Sequence, residues 1–487
     1  MKIAILKNFL KNYKSPKYIY NLNEISNSYK YLKNSLPNYS EIYYSMKANP
    51  NIGVVKHLYK CGAKIETSSW GEINLAIKAG VKCKDIIFTG PAKTIQDLKN
   101  SIKYKIGIIS LESINEFVNL EKICRQDKKK IKCIIRINPE EIKINSSIKM
   151  MGTSSQFGID YKFFLKNYKK FESKYITICG FHFYSASNTK DTGSLVKLFS
   201  SCIDLSKKME NLLKIKISIL NLGGGFASPY GRNQKKIDYS GLKKILNNEL
   251  IRTFGKNEIH TMRVIFESGR YLVGSCGGLI CKVIDKKISK KEKYAILDSG
   301  INHLAGMSSI NRLPKLNPEI IILGRKTKKK ETINIVGPLC TPLDFWTRSA
   351  YTNKLNVNDI IYIPNVSSYG LSASLILFLS HDIPDEVLIL NNKIIKTYKN
   401  IIIQKQMSND KDKLKKIFSK YVDVEFKKNL NYKKSFQDLG IDSLKSVQLL
   451  TEIEKRFDIF LKSKDLNDKS FKALSNFEKI VLKSIGN

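Results

Sequence analysis

A chain of 487 residues that is 42% hydrophobic has the composition of a globular protein and exceeds one ordinary core, so two or three domains are expected. The formal charge of +41 comes from Lys scattered end to end, without a zinc finger, an RNA-recognition signature or a compact basic arm, so neither nucleic acid nor a membrane is the expected partner. Nine cysteines, odd in number and without paired CxxC spacing, argue against a disulfide framework or a zinc site and fit a reducing cytosol.

The N-terminal "MKIAILKNFLKNYKSPKYIY" has too short an apolar run for a signal peptide, and no segment approaches the ~20 apolar residues that span a bilayer. A cytoplasmic protein is expected. From residue 22 to 278, short strand-like runs alternate with helical patterns: "EIYYSMK", "AKIETSS", "DIIFTG", "IGIIS", "IKCIIRINP", "ITICGFHFYS", "ISILNLGGG" and "RVIFES". Eight such units predict a closed parallel (β/α)8 TIM barrel whose functional residues lie at the C-terminal strand ends. Residues 279–400 are β-rich and turn-rich, which predicts an antiparallel β domain, with "YIYNLN" from the N-terminal segment joining as an extra strand. "KTYKNIIIQKQMSNDKD" reads as a linker, and 408–487 carry the amphipathic periodicity of a small helical bundle.

Three features at strand ends carry chemistry. Lys47 closes "IYYSMK", where desolvation can lower an amine's pKa and make it a nucleophile for a Schiff base; an isolated lysine there is more often one snorkelling from a barrel rim. "LNLGGGF" places Gly223, Gly224 and Gly225 straight after a strand, where backbone N–H groups can approach a phosphate. "FESGRY" adds a carboxylate, Glu267, able to keep a pyridine nitrogen protonated, and a guanidinium, Arg270, for a phosphate. Together these are the requirements of pyridoxal 5′-phosphate (PLP).

Six motifs in order, "YYSMKANP", "GFHFYSASN", "NLGGGF", "FESGR", "VGPLCTPLD" and "SSYGLSASLILF", resemble the fold-type III PLP decarboxylases, the ornithine/diaminopimelate/arginine decarboxylase family, over roughly residues 20–390. The resemblance implies that Lys47 holds the cofactor covalently and that Glu66 lies beside it. It further implies that Ser187, Gly223–Gly225, Gly269 and Arg270 hold the phosphate under Tyr369, with Arg136 near the ring. Cys340 would reprotonate Cα in the site of a second subunit, which makes a homodimer the expected state. Read without the resemblance, Cys340 could equally be a small buried residue beside a Gly-Pro turn.

Departures from the pattern bear on the substrate. Tyr184 stands where the family often stacks a His, and Ser268 replaces a Pro. Thr341 stands where enzymes for free diamino acids carry an acid, and "DSGINHLAGM" lacks the arginine of the diaminopimelate enzymes. Thr341 and Asp344 are the expected substrate positions, and a charged distal amine without a partner there would cost several kcal/mol.

The tail offers an explanation. "FQDLGIDSLKSVQLL" puts Ser443 at the start of an amphipathic helix; for a bare "DS" the ordinary reading is a helix cap. The whole "DLGIDSL" in a helical segment of about 80 residues resembles acyl and peptidyl carrier proteins, with Ser443 bearing 4′-phosphopantetheine. The expected function is decarboxylation of a carrier-tethered, glutamyl-like amino acid in secondary-metabolite biosynthesis. Its partners would be a phosphopantetheinyl transferase, amino-acid-loading enzymes and downstream enzymes. Decarboxylation of free diaminopimelate, ornithine or lysine, with the amine product loaded on the carrier, is the alternative. An alanine racemase lacks the Cys motif, and a non-catalytic regulatory homologue would be expected to have lost Lys47, Glu267, Arg270 or Cys340.

Overall fold

The computed structural model describes residues 6, 15–139, 148–149, 154–184, 186–304, 318–402, 410–427, 429–461 and 466–485. Two compact units divide at residue 401/402. In the larger, eight parallel strands close on themselves: Glu41–Ser45, Lys64–Thr67, Ile86–Phe88, Ile108–Leu111, Ile131–Asn138, Ile176–His182, Ile219–Asn221 and Arg263–Ser268. The eighth returns to the first through Glu267↔Tyr43 and Ser268↔Tyr44. Strands covered on both faces need continuous apolar runs, and "IIF" and "IISL" are buried throughout.

The helices after the first four strands begin at side-chain caps. Asn51, Ser69, Thr94 and Ser113 each accept a hydrogen bond from a first-turn backbone N–H, worth about 1 kcal/mol apiece. These caps fix where each strand-to-helix loop ends, and hence the rim on which the site is built.

The β domain corrects one expectation, because its sheet is mixed rather than antiparallel. Lys17–Asn21 inserts between Gly277–Ser289, antiparallel, and Asp385–Leu390, parallel, and Glu292–Leu297 runs parallel to Lys330–Val336. Both parallel pairs join strands distant in sequence, which no hairpin turn constrains to run oppositely. The strand Phe345–Asn353 was not foreseen, and Lys396–Tyr398, assigned to the linker, belong to the strand Lys393–Tyr398. Part of the linker, 403–409, lies outside the described residues.

The second unit contains helices Asp410–Tyr421, Ser443–Phe457, Asp468–Phe471 and Leu474–Ile485. Leu414, Phe418, Leu449, Ile453, Phe477 and Val481 form its core. No helix among the described residues is long and apolar enough to cross a membrane.

Candidate active site

The C-terminal ends of the barrel strands bring the expected residues together. Lys47 sits in a single 3₁₀ turn, Met46–Ala48, directly after the first strand. Its amine lies 3.4 Å from the carboxylate of Glu66, on the neighbouring strand, and 5.4 Å from the centre of the Tyr184 ring. Glu66 is buried and also accepts from the hydroxyls of Thr89 and Ser68.

Here the structure reverses an expectation. Burial alone would lower the Lys47 pKa, but Glu66, aided by Tyr184, Tyr369 and Glu267, outweighs it, and the amine is pushed up. A strand end reveals desolvation; it does not reveal a carboxylate nineteen residues away. Glu66, despite the burial that opposes it, is held below its ordinary value by Lys47 and its hydrogen bonds.

Glu267 is fully buried on the eighth strand. Asn221 Nδ2 donates to its Oε1 at 2.8 Å, and His182 Nε2 lies 3.3 Å from the same oxygen. Burial, then repulsion from Glu66, pushes its carboxyl up to about 7, despite Lys47, Asn221 and Arg136. Arg136 pairs with Glu112 at 2.8 Å and lies 5.8 Å from the Tyr184 ring centre.

The glycine loop is shaped by close approach. A Cβ on Gly223 would stand 2.1 Å from the Phe183 carbonyl, and one on Gly224 would stand 2.6 Å from the Glu267 carbonyl. Gly223 has φ +68° and Gly225 +124°, the left-handed region that glycine adopts without strain. Ser187 lies in the two-residue strand Ala186–Ser187, and two residues on, the Thr189 N–H donates to the Gly225 carbonyl. Gly269 abuts Ala48, where an added Cβ would lie 2.8 Å from Ala48 Cβ. The Arg270 guanidinium stacks 4.5 Å from the Tyr369 ring centre. Tyr369 itself is held at φ +54°, its N–H donating to Ala48 O at 2.7 Å. A bulky residue in that region signals a conformation imposed by its surroundings.

Buried Arg270 Nε, Ser268 Oγ and Thr189 Oγ1 have no hydrogen-bond partner among the described residues. Orphaned donors around a glycine cradle fit a phosphate, and a buried carboxyl poised near neutrality fits a ring nitrogen. The residues present therefore suit PLP.

The Cys340 loop differs from expectation at one position. Cys340 is exposed and Thr341 half-buried, but Asp344 is buried, and its two oxygens accept the N–H groups of Ile301 and Leu339 at 2.9 and 2.8 Å. Asp344 braces the loop through these bonds. Residues 305–307 of "DSGINHLAGM" lie outside the described residues.

Sequence reading missed a second layer. Glu112 holds Arg136 and accepts the N–H groups of Gly90 and Gly158, and buried Lys93 lies 3.3 Å from Glu116. In a Lys-rich chain nothing local marks these residues; the capped loop ends after strands are the only signal. His182 lies within "GFHFYSASN", where the resemblance points to Tyr184 and Ser187 instead.

In the second unit Asp442, not Ser443, is the cap, accepting Lys445 N–H at 2.7 Å. Ser443 is thereby left exposed at the first helical position after a left-handed Gly440.

Residues 22–274, just over half of the chain, match the family described as "Pyridoxal-dependent decarboxylase, pyridoxal binding domain". The chain belongs to this decarboxylase family. Residues 412–477 of this decarboxylase match "Phosphopantetheine attachment site", so it is a PLP-dependent carboxy-lyase carrying a carrier domain, with PLP and 4′-phosphopantetheine as its cofactors. It is 30% identical over 383 residues to the L-glutamyl-[BtrI acyl-carrier protein] decarboxylase of Niallia circulans, covering 78% of this chain and 89% of that one. It is 27% identical to the diaminopimelate decarboxylase of Campylobacter jejuni over 76% of this chain and 89% of that protein. The structure of Helicobacter pylori diaminopimelate decarboxylase complexed with L-lysine matches with a TM-score of 0.72 at 25% identity, covering 81% of this chain and 96% of that one.

Proposed function

We propose that this decarboxylase removes CO2 from an α-amino acid joined through its side-chain carboxyl, in the manner of a glutamyl group, to the phosphopantetheine arm of Ser443. The observation that carries the reading is the carrier domain itself, on a barrel similar to an enzyme named for an acyl-carrier-bound glutamyl substrate. Thr341 supports it: a tethered side chain ends in a neutral arm and needs no acid beside Cys340, whereas a free diamino acid does.

Bound PLP supplies an electron sink for the pair left when the Cα–carboxylate bond breaks. Lys47 would hold the cofactor through its amine, and Glu66 would hold and take up the proton that this amine must shed. Glu267 would face the ring nitrogen, and Tyr184 would lie against the ring with Arg136 beside it. Gly223–Gly225, Ser187, Gly269 and Arg270 would hold the phosphate under Tyr369. Cys340, exposed in its own protomer, would enter the site of a second copy in a homodimer and deliver the thiol proton to Cα, regaining it from solvent. Phosphopantetheinyl transferase and amino-acid-loading enzymes would prepare Ser443, and a downstream enzyme would take the amine.

A free diamino acid is the second reading, favoured by the diaminopimelate decarboxylase relatives. Intact-protein mass spectrometry separates them. Ser443 is converted to the phosphopantetheine form and loaded with glutamyl or aspartyl groups, and the carrier mass is followed beside a Lys47→Ala control. Loss of one CO2 from the loaded chain, absent in the control, establishes the tethered reaction. An unchanged carrier mass, with free diaminopimelate decarboxylated by the same preparation, refutes it.

A further inference from the structure

Inside the barrel, three side chains from three strands lie in succession, with His182 between the other two. His182, on the sixth strand, is 1% exposed; its Nδ1 is 2.9 Å from Ser110 Oγ on the fourth, and its Nε2 is 3.3 Å from Glu267 Oε1 on the eighth. Ser110 is fully buried, and His182 Nε2, also buried, makes no hydrogen bond among the described residues; Glu267 Oε1 at 3.3 Å is the carboxylate oxygen beside it. Asn221 Nδ2 is fixed on the same Oε1, so this oxygen is committed to the protein and Oε2 is left for a ligand.

We propose that Ser110 and His182 form a tautomer relay that positions Glu267: His182 stays neutral, and the nitrogen that carries its proton changes as Glu267 gains or loses its own. The chemistry of the three groups requires this once Nε2 and Oε1, 3.3 Å apart, close to a hydrogen bond in both states. A protonated Glu267 donates from Oε1 to Nε2, which leaves the His182 proton on Nδ1, donated to Ser110 Oγ. An anionic Glu267 accepts from Nε2–H, which leaves Nδ1 to accept the Ser110 hydroxyl. The protons balance: the first state holds three on Oε1, Nδ1 and Oγ, the second two on Nε2 and Oγ, and one leaves to bulk water.

The surrounding charges oppose a cationic imidazole. Burial first, then Arg136 on the fifth strand, Lys47 after the first and Lys93 after the third, push His182 down. Glu66 on the second strand is engaged by Lys47, and among the described residues Glu267 is the one carboxylate that faces the ring at contact distance. His182 and Ser110 are positioning residues, since neither is placed to touch the reacting atoms. The consequence for catalysis rests on Glu267 pairing with a ring nitrogen; the relay in the cofactor-free chain does not.

The test is 15N NMR of the full-length chain labelled at its five histidines, with His182→Asn assigning the signal and spectra taken with and without PLP. Without PLP, His182 is expected to pass from the Nδ1–H to the Nε2–H tautomer as pH rises through about 7, without a doubly protonated form, and the passage is lost in Glu267→Gln. With PLP it is expected to remain Nε2–H throughout. A single tautomer across the range in the cofactor-free chain, or a cationic His182, overturns the relay. A passage that persists unchanged when PLP is bound upholds the relay and overturns the pairing of Glu267 with the ring nitrogen.

Discussion

Glu66→Gln keeps the shape of a buried side chain and removes a charge 3.4 Å from the Lys47 amine. Two unit charges at that separation interact by about 5 kcal/mol at an effective dielectric near 20 and by about 1 kcal/mol in bulk water. Glu66 is 1% exposed but the Lys47 side chain is 36% exposed, so screening discounts the larger figure. About 2–3 kcal/mol remains, which corresponds to about 1.5–2 pH units. The amine, now held above its ordinary range, should fall by that amount, so its neutral fraction below its pKa rises about 30- to 100-fold. The assay is the rate of amine labelling at Lys47 in the cofactor-free chain, read by peptide mass spectrometry at fixed pH. Exposed lysines in the same sample serve as internal standards. Faster labelling at Lys47 alone is expected. An unchanged or slower rate would refute the claim that Glu66 sets the charge of this lysine.

Glu267 gives a pH dependence. A carboxyl that titrates near 7 in the fold and near 4.5 in the unfolded chain binds its proton more tightly when folded, so stability of the cofactor-free chain falls as pH rises through that window. Glu267→Gln should therefore stabilise the cofactor-free chain by up to about 3 kcal/mol at about pH 8, read as a higher melting temperature, with the gain gone near pH 4. In Gly224→Ala the new Cβ meets the Glu267 carbonyl at 2.6 Å and the Tyr184 ring at 3.2 Å; PLP affinity by equilibrium dialysis should fall at least about 100-fold while the chain still folds. Asp344→Ala leaves the N–H groups of Ile301 and Leu339 without their acceptor and should cost about 2–4 kcal/mol in a urea melt. Asp442→Ala removes the cap of the Ser443 helix and should lower carrier-domain stability by about 1 kcal/mol, read by hydrogen exchange over 443–457.

The barrel was legible because each of its strands is a buried apolar run ending at a turn, and Lys47, the glycine loop and Glu267 sit at three such ends. Local sequence carries that much. It did not carry the direction of the Lys47 pKa, which depends on Glu66 across a strand pair, nor the role of Asp344, whose backbone partners include Ile301 from a distant loop. Glu112, Lys93 and Glu116 were invisible for a related reason. In a chain with 84 basic residues, a buried lysine looks like an exposed one until the fold places a carboxylate beside it. The parallel pairings of Lys17–Asn21 and Glu292–Leu297 likewise join segments that no turn connects.

The same accounting of partners bears on why Glu267 is pushed up. Among the described residues, four glutamates are buried at this end of the barrel: Glu66, Glu112, Glu116 and Glu267. Three have a cation in contact, Lys47, Arg136 and Lys93 respectively. Glu267 has only the neutral Asn221 and a His182 whose burial keeps it uncharged. A buried carboxylate without a positive partner retains its proton toward neutral pH, which is the direction found here. Of these four, Glu267 is thus the one without a cation in contact, and its Oε2 receives no hydrogen bond from the described residues. A ligand that brings a cation to Oε2 gains the attraction that the other three pairs already have, and a ligand without one must leave Glu267 protonated. A protonated aromatic nitrogen would bring that charge, in the role proposed above for Glu267.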